Sequence, residues 1–254
     1  MPRGPLEEAH LISPSFLTAT LTVLLAVVRA GTHSAPGASP SYPLAGQLED
    51  RGVFVISVAG QPVGTEAFDI RAVGERLEAE AKIELRIERE GKVHEFRTAP
   101  KLALDSALQP LTYAWSQRGP QSSQLEVDFR SSPVKARYKT VAGAEDRRDF
   151  ELPKAVVVLD DNVLHHYQLV VYLYRRTSGG KQTFQAFVPQ EALPGTLTVE
   201  ELGPESIAIN GRTEDLRHLV LQTELARIDL WVDDQQHLQR ISVPTVQLEA
   251  ERRK

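Results

Sequence analysis

The residues best placed to do chemistry cluster in one short stretch. Asp160-Asp161-Asn162 is followed by His165-His166 and then by Tyr167, Tyr172 and Tyr174. Carboxylates beside imidazoles suggest a metal site or an acid/base pair. Successive residues of a helix point about 100° apart, however, so the two histidines would not reach one ion. Asp161 and His165, at i and i+4, would share a face. The plainer reading is a capped helix start with one charge pair, because no third ligand lies nearby in sequence. An enzyme would need a convergent set such as Asp161, His165 and Tyr167 around a pocket, and the reading leans away from one.

Other candidates are weaker. His94-Glu95 opens like a zinc-protease string, but no second histidine follows and the segment reads as a strand. Gly179-Gly180-Lys181 lacks the upstream glycine and the following hydroxyl residue of a phosphate loop. There is no nucleophile-elbow or dinucleotide-binding string. The chain has no cysteine, which removes thiol catalysis, thiolate metal sites and disulfides together. No metal or other cofactor is expected, and no catalytic residue is assigned.

Aromatic residues offer binding chemistry instead. Asp229, Trp231 and Asp233 share one side of an alternating run, where an indole between carboxylates could stack on a sugar or hold a cation. Packing over a sheet is the commoner use of such an indole. Trp115, with Tyr113 and Leu111, makes a second aromatic face suited to a core or a cleft rim. Three of the six tyrosines, Tyr167, Tyr172 and Tyr174, lie on the Asp160–Arg176 segment. Their hydroxyls need partners or an opening to water. Tyr167, Tyr172, Tyr174, Trp115 and Trp231 are therefore the candidate ligand-lining residues, with simple core packing as the competing role.

The elements that must position these residues are mostly strands. From Leu77 to Ile87, apolar Leu77, Ala79, Ala81, Ile83, Leu85 and Ile87 alternate with charged residues, which defines a strand with one buried and one wet face. Phe54, Ile56 and Val58 make another strand, with a turn at Gly60-Gln61-Pro62 and a return through Phe68 and Ile70. Leu125–Phe129 and Val134–Tyr138 form a hairpin candidate about Ser132-Pro133. Asn210-Gly211 is a two-residue hairpin turn signal, and Asp233–Gln236 links Ile228–Val232 to Ile241–Val243. The count is eleven or twelve strands in an antiparallel meander. The exception is Asp161 to Arg176. Its Asp/Asn start, arginine end and nearly all-round apolar surface predict one buried helix, with a central strand as the alternative. The predicted fold is mainly β: one antiparallel half-barrel or barrel-like sheet, residues 51–254, wrapped around that helix. A two-sheet sandwich is the alternative.

Ahead of this body, Phe16 to Val28 is an uncharged, mainly apolar run of signal-peptide length. Val28-Arg29-Ala30 places small residues where cleavage after Ala30 would need them. Residues 1–30 are thus expected to be a signal peptide; an uncleaved anchor, the sole route to membrane contact, and a buried helix are the alternatives. The basic flank that such signals carry is poor here. Residues 31–50 read as a Gly/Ser/Pro-rich linker. The net charge is −5, which disfavours nucleic acid as a partner.

Three strings carry a resemblance: Gly60–Ile70 (GQPVGTEAFDI) after the first strand, Leu108–Tyr113 (LQPLTY), and Leu159–Asn162 (LDDN) before the apolar segment. In this order they resemble the uncharacterised periplasmic β-families of Gram-negative bacteria, whose fold is similar to the lipoprotein carriers LolA and LolB. The resemblance spans roughly residues 50 to 250. It implies an open half-barrel, a periplasmic or envelope location, and a lipid or other apolar molecule as the ligand. The missing cysteine departs from a LolB-like lipid anchor, and no cargo-binding residue of the carriers can be matched. An envelope structural or interaction protein with a closed core, and a protein partner, is the alternative.

Overall fold

The computed structural model describes residues 48–253 except 90, 119–121, 141, 175–178 and 225. The expected signal peptide and nearly all of the expected linker lie outside the described residues. The last residues assigned to the linker belong to the folded body: Leu48 is buried and Asp50 opens the first strand.

Sixteen strands and one α-helix make up the described chain. The strands are β1 (Asp50–Val58), β2 (Gln61–Val73), β3 (Arg76–Arg89), β4 (Lys92–Thr98), β5 (Lys101–Leu104), β6 (Pro110–Arg118), β7 (Ser123–Asp128), β8 (Val134–Lys139), β9 (Glu145–Phe150) and β10 (Val157–Val158). The helix α1 (His166–Leu173) follows, then β11 (Gln182–Val188), β12 (Leu193–Ile209), β13 (Arg212–Gln222), β14 (Arg227–Val232), β15 (Leu238–Val243) and β16 (Leu248–Arg252). All strands belong to one sheet, ordered β10-β11-β12-β13-β14-β15-β16-β1-β2-β3-β4-β6-β7-β8-β9, with β5 bridging β3 and β6. The C-terminal strand therefore pairs with the first, Ile56 opposite Ala250.

Three expectations are corrected. The strand count is sixteen rather than eleven or twelve: β5 is only four residues long and β10 only two, and β9 reads EDRRDF and buries almost nothing. The sheet is antiparallel except between β10 and β11, which run parallel. The helix spans His166–Leu173, not 161–176, since Asp160 to His165 form turns, with Val163 N–H donating to the Asp160 carbonyl.

Where alternation was strong it held. Leu77, Ala79, Ala81, Ile83 and Leu85 of β3 are buried in one core with Phe54, Ile56, Phe68 and Ile70. The opposite face is wet: Arg71 bonds Glu80 at 2.7 Å and Glu78 at 3.2 Å, and Lys101 reaches Glu78 at 3.1 Å. Gly64 permits the tight approach of β2 to β3. A Cβ there would lie 2.0 Å from the Glu84 carbonyl oxygen, far inside contact distance. Asn210 and Gly211 take φ of 49° and 74°, the left-handed pair that a two-residue hairpin needs.

The two ends of the sheet meet through side chains. Phe187 of β11 packs on Phe150 and Phe129 with ring centroids 4.9 and 6.2 Å apart, and the Tyr138 hydroxyl donates to the Pro189 carbonyl. A second, smaller core lies on the outer face. There the long β12–β13 hairpin carries Ile207, Ile209 and Leu216 onto Trp231.

Candidate functional site

All eight residues of α1 are buried, so its polar groups must be satisfied within the protein. Its start is capped from a distance. The N-cap position, His165, makes no side-chain cap bond. Instead, Glu66 of β2, itself fully buried, accepts from the backbone N–H groups of Leu164 and His165 and from the His165 ring Nδ1, each at 2.7 Å. Two of the orphan donors at the helix start are thus met by a carboxylate almost a hundred residues away in sequence, where a negative charge also complements the helix dipole. The expected Asp160–Asn162 cap and the Asp161–His165 charge pair are both replaced by this contact. Further along, the Gln168 amide donates to the Gln236 carbonyl at 2.8 Å and accepts from Leu238 N–H at 2.6 Å. The Tyr174 hydroxyl donates to the Gly180 carbonyl and accepts from Glu201 N–H.

Beside the helix start lies an acidic cluster. Asp160 accepts from the Tyr113 hydroxyl at 2.5 Å and from Gln190 N–H at 2.9 Å, while its own N–H donates to His166 Nδ1 at 3.3 Å. That last bond makes Nδ1 an acceptor, so the neutral ring carries its proton on Nε2. The Gln190 amide donates to the Asp161 carbonyl. Burial pushes Asp160 up to about 6, against the hydrogen bonds from Tyr113 and Gln190 that favour its charged form. Burial, then the charges of Asp160 and Glu191, push Asp161 up to about 9, with a hydrogen bond to Glu191 favouring its protonated form. Burial, reinforced by His165, holds His166 well below the ordinary imidazole range, so the ring is neutral. Burial raises the Tyr113 hydroxyl far above its usual value, with Asp160 adding to the effect. Such displaced groups mark functional sites in many proteins, but structural networks displace them as well.

Access decides between these. Asp160, Asp161, Asn162, Val163, Leu164, Tyr167, Val243 and Leu248 line a crevice with about 10 Å³ of room, space for one water molecule. A second crevice of the same size adjoins it, walled by Ile56, Val63, Leu85, Ile87, Asn162, Leu164 and Leu248. Asp161 Oδ1, Asn162 Nδ2 and the Nε2 atoms of His165 and His166 are buried without a hydrogen-bond partner. Among the described residues no three His, Asp or Glu side chains stand close enough to hold a metal ion.

The candidate aromatic residues do not converge. Tyr167 lines the first crevice. Tyr172 lies near the far end of α1, within the fields of Asp50, Arg252 and Asp233, and Tyr174 is spent on tethering. Trp115 is packed in the main core beside Leu125. Trp231 is on the outer face, stacked on His218 at 4.7 Å beneath the Arg240 guanidinium at 5.4 Å, with its Nε1–H donated to Glu205. His218 in turn bridges Glu205 and Asp229 at 2.8 and 2.7 Å. Asp233 lies off the strand and holds the β14–β15 turn through His237 N–H. The residue missed in sequence is Glu66. Its signal was parity, since it occupies the inward register of Phe68 and Ile70.

With this geometry in view, no known family model and no curated protein matches the chain. Its backbone is similar to a solved structure, a beta-barrel-like protein of domain of unknown function DUF1849 from Brucella abortus. The TM-score is 0.54 at 7% identity, over 81% of this chain and 96% of that one. The likeness shows a shared barrel-like fold. A DUF1089 family protein from Pseudomonas aeruginosa aligns at a TM-score of 0.43 and 12% identity, over 86% and 98% of the two chains, too distant to bear on the fold.

Proposed function

We propose that this chain is a non-catalytic protein of the cell envelope, exported by its N-terminal apolar run, whose closed core is a rigid scaffold for contacts made on its outer surface. The observation that carries this reading is the filled interior. The concave side of the sheet is occupied by α1 and by side chains, and each of the two crevices beside the helix has room for about a single water. The displaced carboxyls of Asp160 and Asp161 sit under turns rather than at a mouth wide enough for an organic substrate. Export is supported by Phe16 to Val28 and the small residues before Gly31.

The rival reading, an open half-barrel like the LolA and LolB carriers with an apolar molecule in its cleft, would need α1 displaced. Three separate polar tethers, at Glu66, Gln168 and Tyr174, hold that helix in place. Fractionation of a Gram-negative host expressing the full chain tests the location, with terminal sequencing of the product. Recovery from the periplasm with Gly31 first supports export and cleavage. An intact chain in the cytosol would overturn the envelope assignment.

A further inference from the structure

The long β12–β13 hairpin folds back over the outer face of the sheet. Its register breaks between Glu201 and Gly203, and Gly203 takes a φ of 114° that favours glycine. Past that break, residues 204–216 pair with one another, whereas β14 joins β13 only from Arg217, opposite Val232. The tip of this arm reaches β16. There Asn210 donates from its backbone N–H to Glu251 and from its side-chain amide to the Arg252 carbonyl.

Two residues beyond Gly203, the arm sets Glu205 down on the sheet. A single oxygen, Oε2, accepts from Trp231 Nε1–H at 3.0 Å and stands 2.8 Å from His218 Nδ1. The two donors come from neighbouring strands: His218 of β13 lies opposite Trp231 of β14, and their rings stack at 4.7 Å. On the other side of Trp231, Arg240 of β15 lays its guanidinium over the indole at 5.4 Å while pairing with Glu249 at 2.9 Å. The second ring nitrogen of His218, Nε2, meets Asp229 at 2.7 Å, and Arg227 holds Asp229 in turn at 2.7 Å. Burial alone would raise the Asp229 carboxyl, but hydrogen bonds from Arg227 and His218 hold it below its ordinary value, so it is ionised. An imidazole that faces carboxylates through both nitrogens donates through both as the imidazolium.

The sheet thus aims two fixed donors at one oxygen, with Asp229 orienting the ring. Such charge-assisted bonds are the strong kind, and fixed donors lose little freedom when they bind. Their occupant is less fixed. Glu205 stands on the arm, and its side chain is 45% exposed, so solvent reaches the bound carboxylate. We propose that His218 and Trp231 form a carboxylate-binding site, which Glu205 fills as an internal competitor until a carboxylate of another molecule replaces it. Replacement needs only the arm to swing about Gly203, while the pairing of β13 with β14 stays intact. This rests on the reading that contacts are made on the outer face, and it names what is recognised there: the carboxylate of a free organic acid or of an acidic protein segment.

NMR titration of the purified chain at a pH of about 5.5, below the ordinary imidazole value of about 6.5, tests this. The probes are sodium formate and a glutamate tripeptide blocked at both ends, against sodium chloride at equal ionic strength. The signals are the Trp231 indole N–H and the His218 ring. In Glu205→Ala, formate is expected to shift both saturably and chloride neither; Glu205→Gln serves should Glu205→Ala not fold. In the unaltered chain the tethered Glu205 competes at an effective concentration of about millimolar or more, and the apparent affinity is expected to be at least about tenfold weaker. Adding Trp231→Phe or His218→Gln to Glu205→Ala is expected to abolish saturation at the remaining donor, and either folded variant decides. Tighter binding of the peptide than of formate assigns the site to an acidic protein segment; equal or weaker binding assigns it to a free acid. No saturable shift without Glu205, saturation that survives loss of a donor, or equal affinity with and without Glu205 would overturn the site. None of these results bears on export or on the closed core, which are tested separately.

Discussion

At the scale of single residues, Glu66 is the most consequential side chain in the molecule. It accepts three hydrogen bonds in a fully buried setting. Glu66→Ala leaves two backbone N–H groups and the His165 ring N–H without a partner, and unpaired buried donors are expensive. Urea denaturation is expected to show a loss of about 2–4 kcal/mol; a loss below about 1 kcal/mol would mean that the helix start is held by packing alone. Tyr113→Phe removes the donor to Asp160 and is expected to cost about 1–2 kcal/mol. A hydroxyl donated to a carboxyl favours its ionised form, so this loss should grow as pH rises through about 6, where Asp160 ionises. A pH-independent loss would show that the bond does not discriminate between the two forms of Asp160. This chemistry was only partly legible in the sequence. Asp160, Asp161, His165 and Tyr167 stood out by type, and all four do flank the helix start. Their partners, Glu66, Tyr113 and Gln190, are distant in the chain, and no spacing rule reaches across that distance.

At the scale of elements, legibility followed burial. β3 was plain because six residues alternate on a half-buried face, and the β1–β2, β7–β8 and β12–β13 hairpins were plain because Gly, Pro and Asn mark their turns. β9 was not, since an edge strand with both faces wet has no reason to alternate, and its charges suit an exposed edge. The helix boundary was misplaced because Asp and Asn cap helices on average, whereas here they turn the chain toward Gln190 and leave the cap to β2. The β2–β3 contact gives a sharp test. A methyl group at Gly64 meets a backbone oxygen rather than a movable side chain, so Gly64→Ala is expected to destabilise by at least about 2 kcal/mol, in the range of overpacked sites. Thermal melting reads this directly, and an unchanged midpoint would mean that the two strands can separate without loss.

At the scale of the whole molecule, the sheet runs without interruption from β10 to β9, pairs its C-terminal strand with its first, and meets end to end through Phe150, Phe187 and Phe129. Arg252 fastens the pairing of the two chain ends, with both guanidinium arms on the buried Asp50 and its face over Phe68. Such a bidentate contact is rigid as well as strong. The described strands thus form one continuous sheet that packs on a fully buried helix. Native mass spectrometry of the gently purified chain, followed by solvent extraction, tests that central claim most directly. The account predicts the mass of the polypeptide alone and an extract free of any stoichiometric lipid or other apolar molecule. A bound apolar molecule at one per chain, lost on extraction, would contradict it and make α1 a displaceable plug in a carrier.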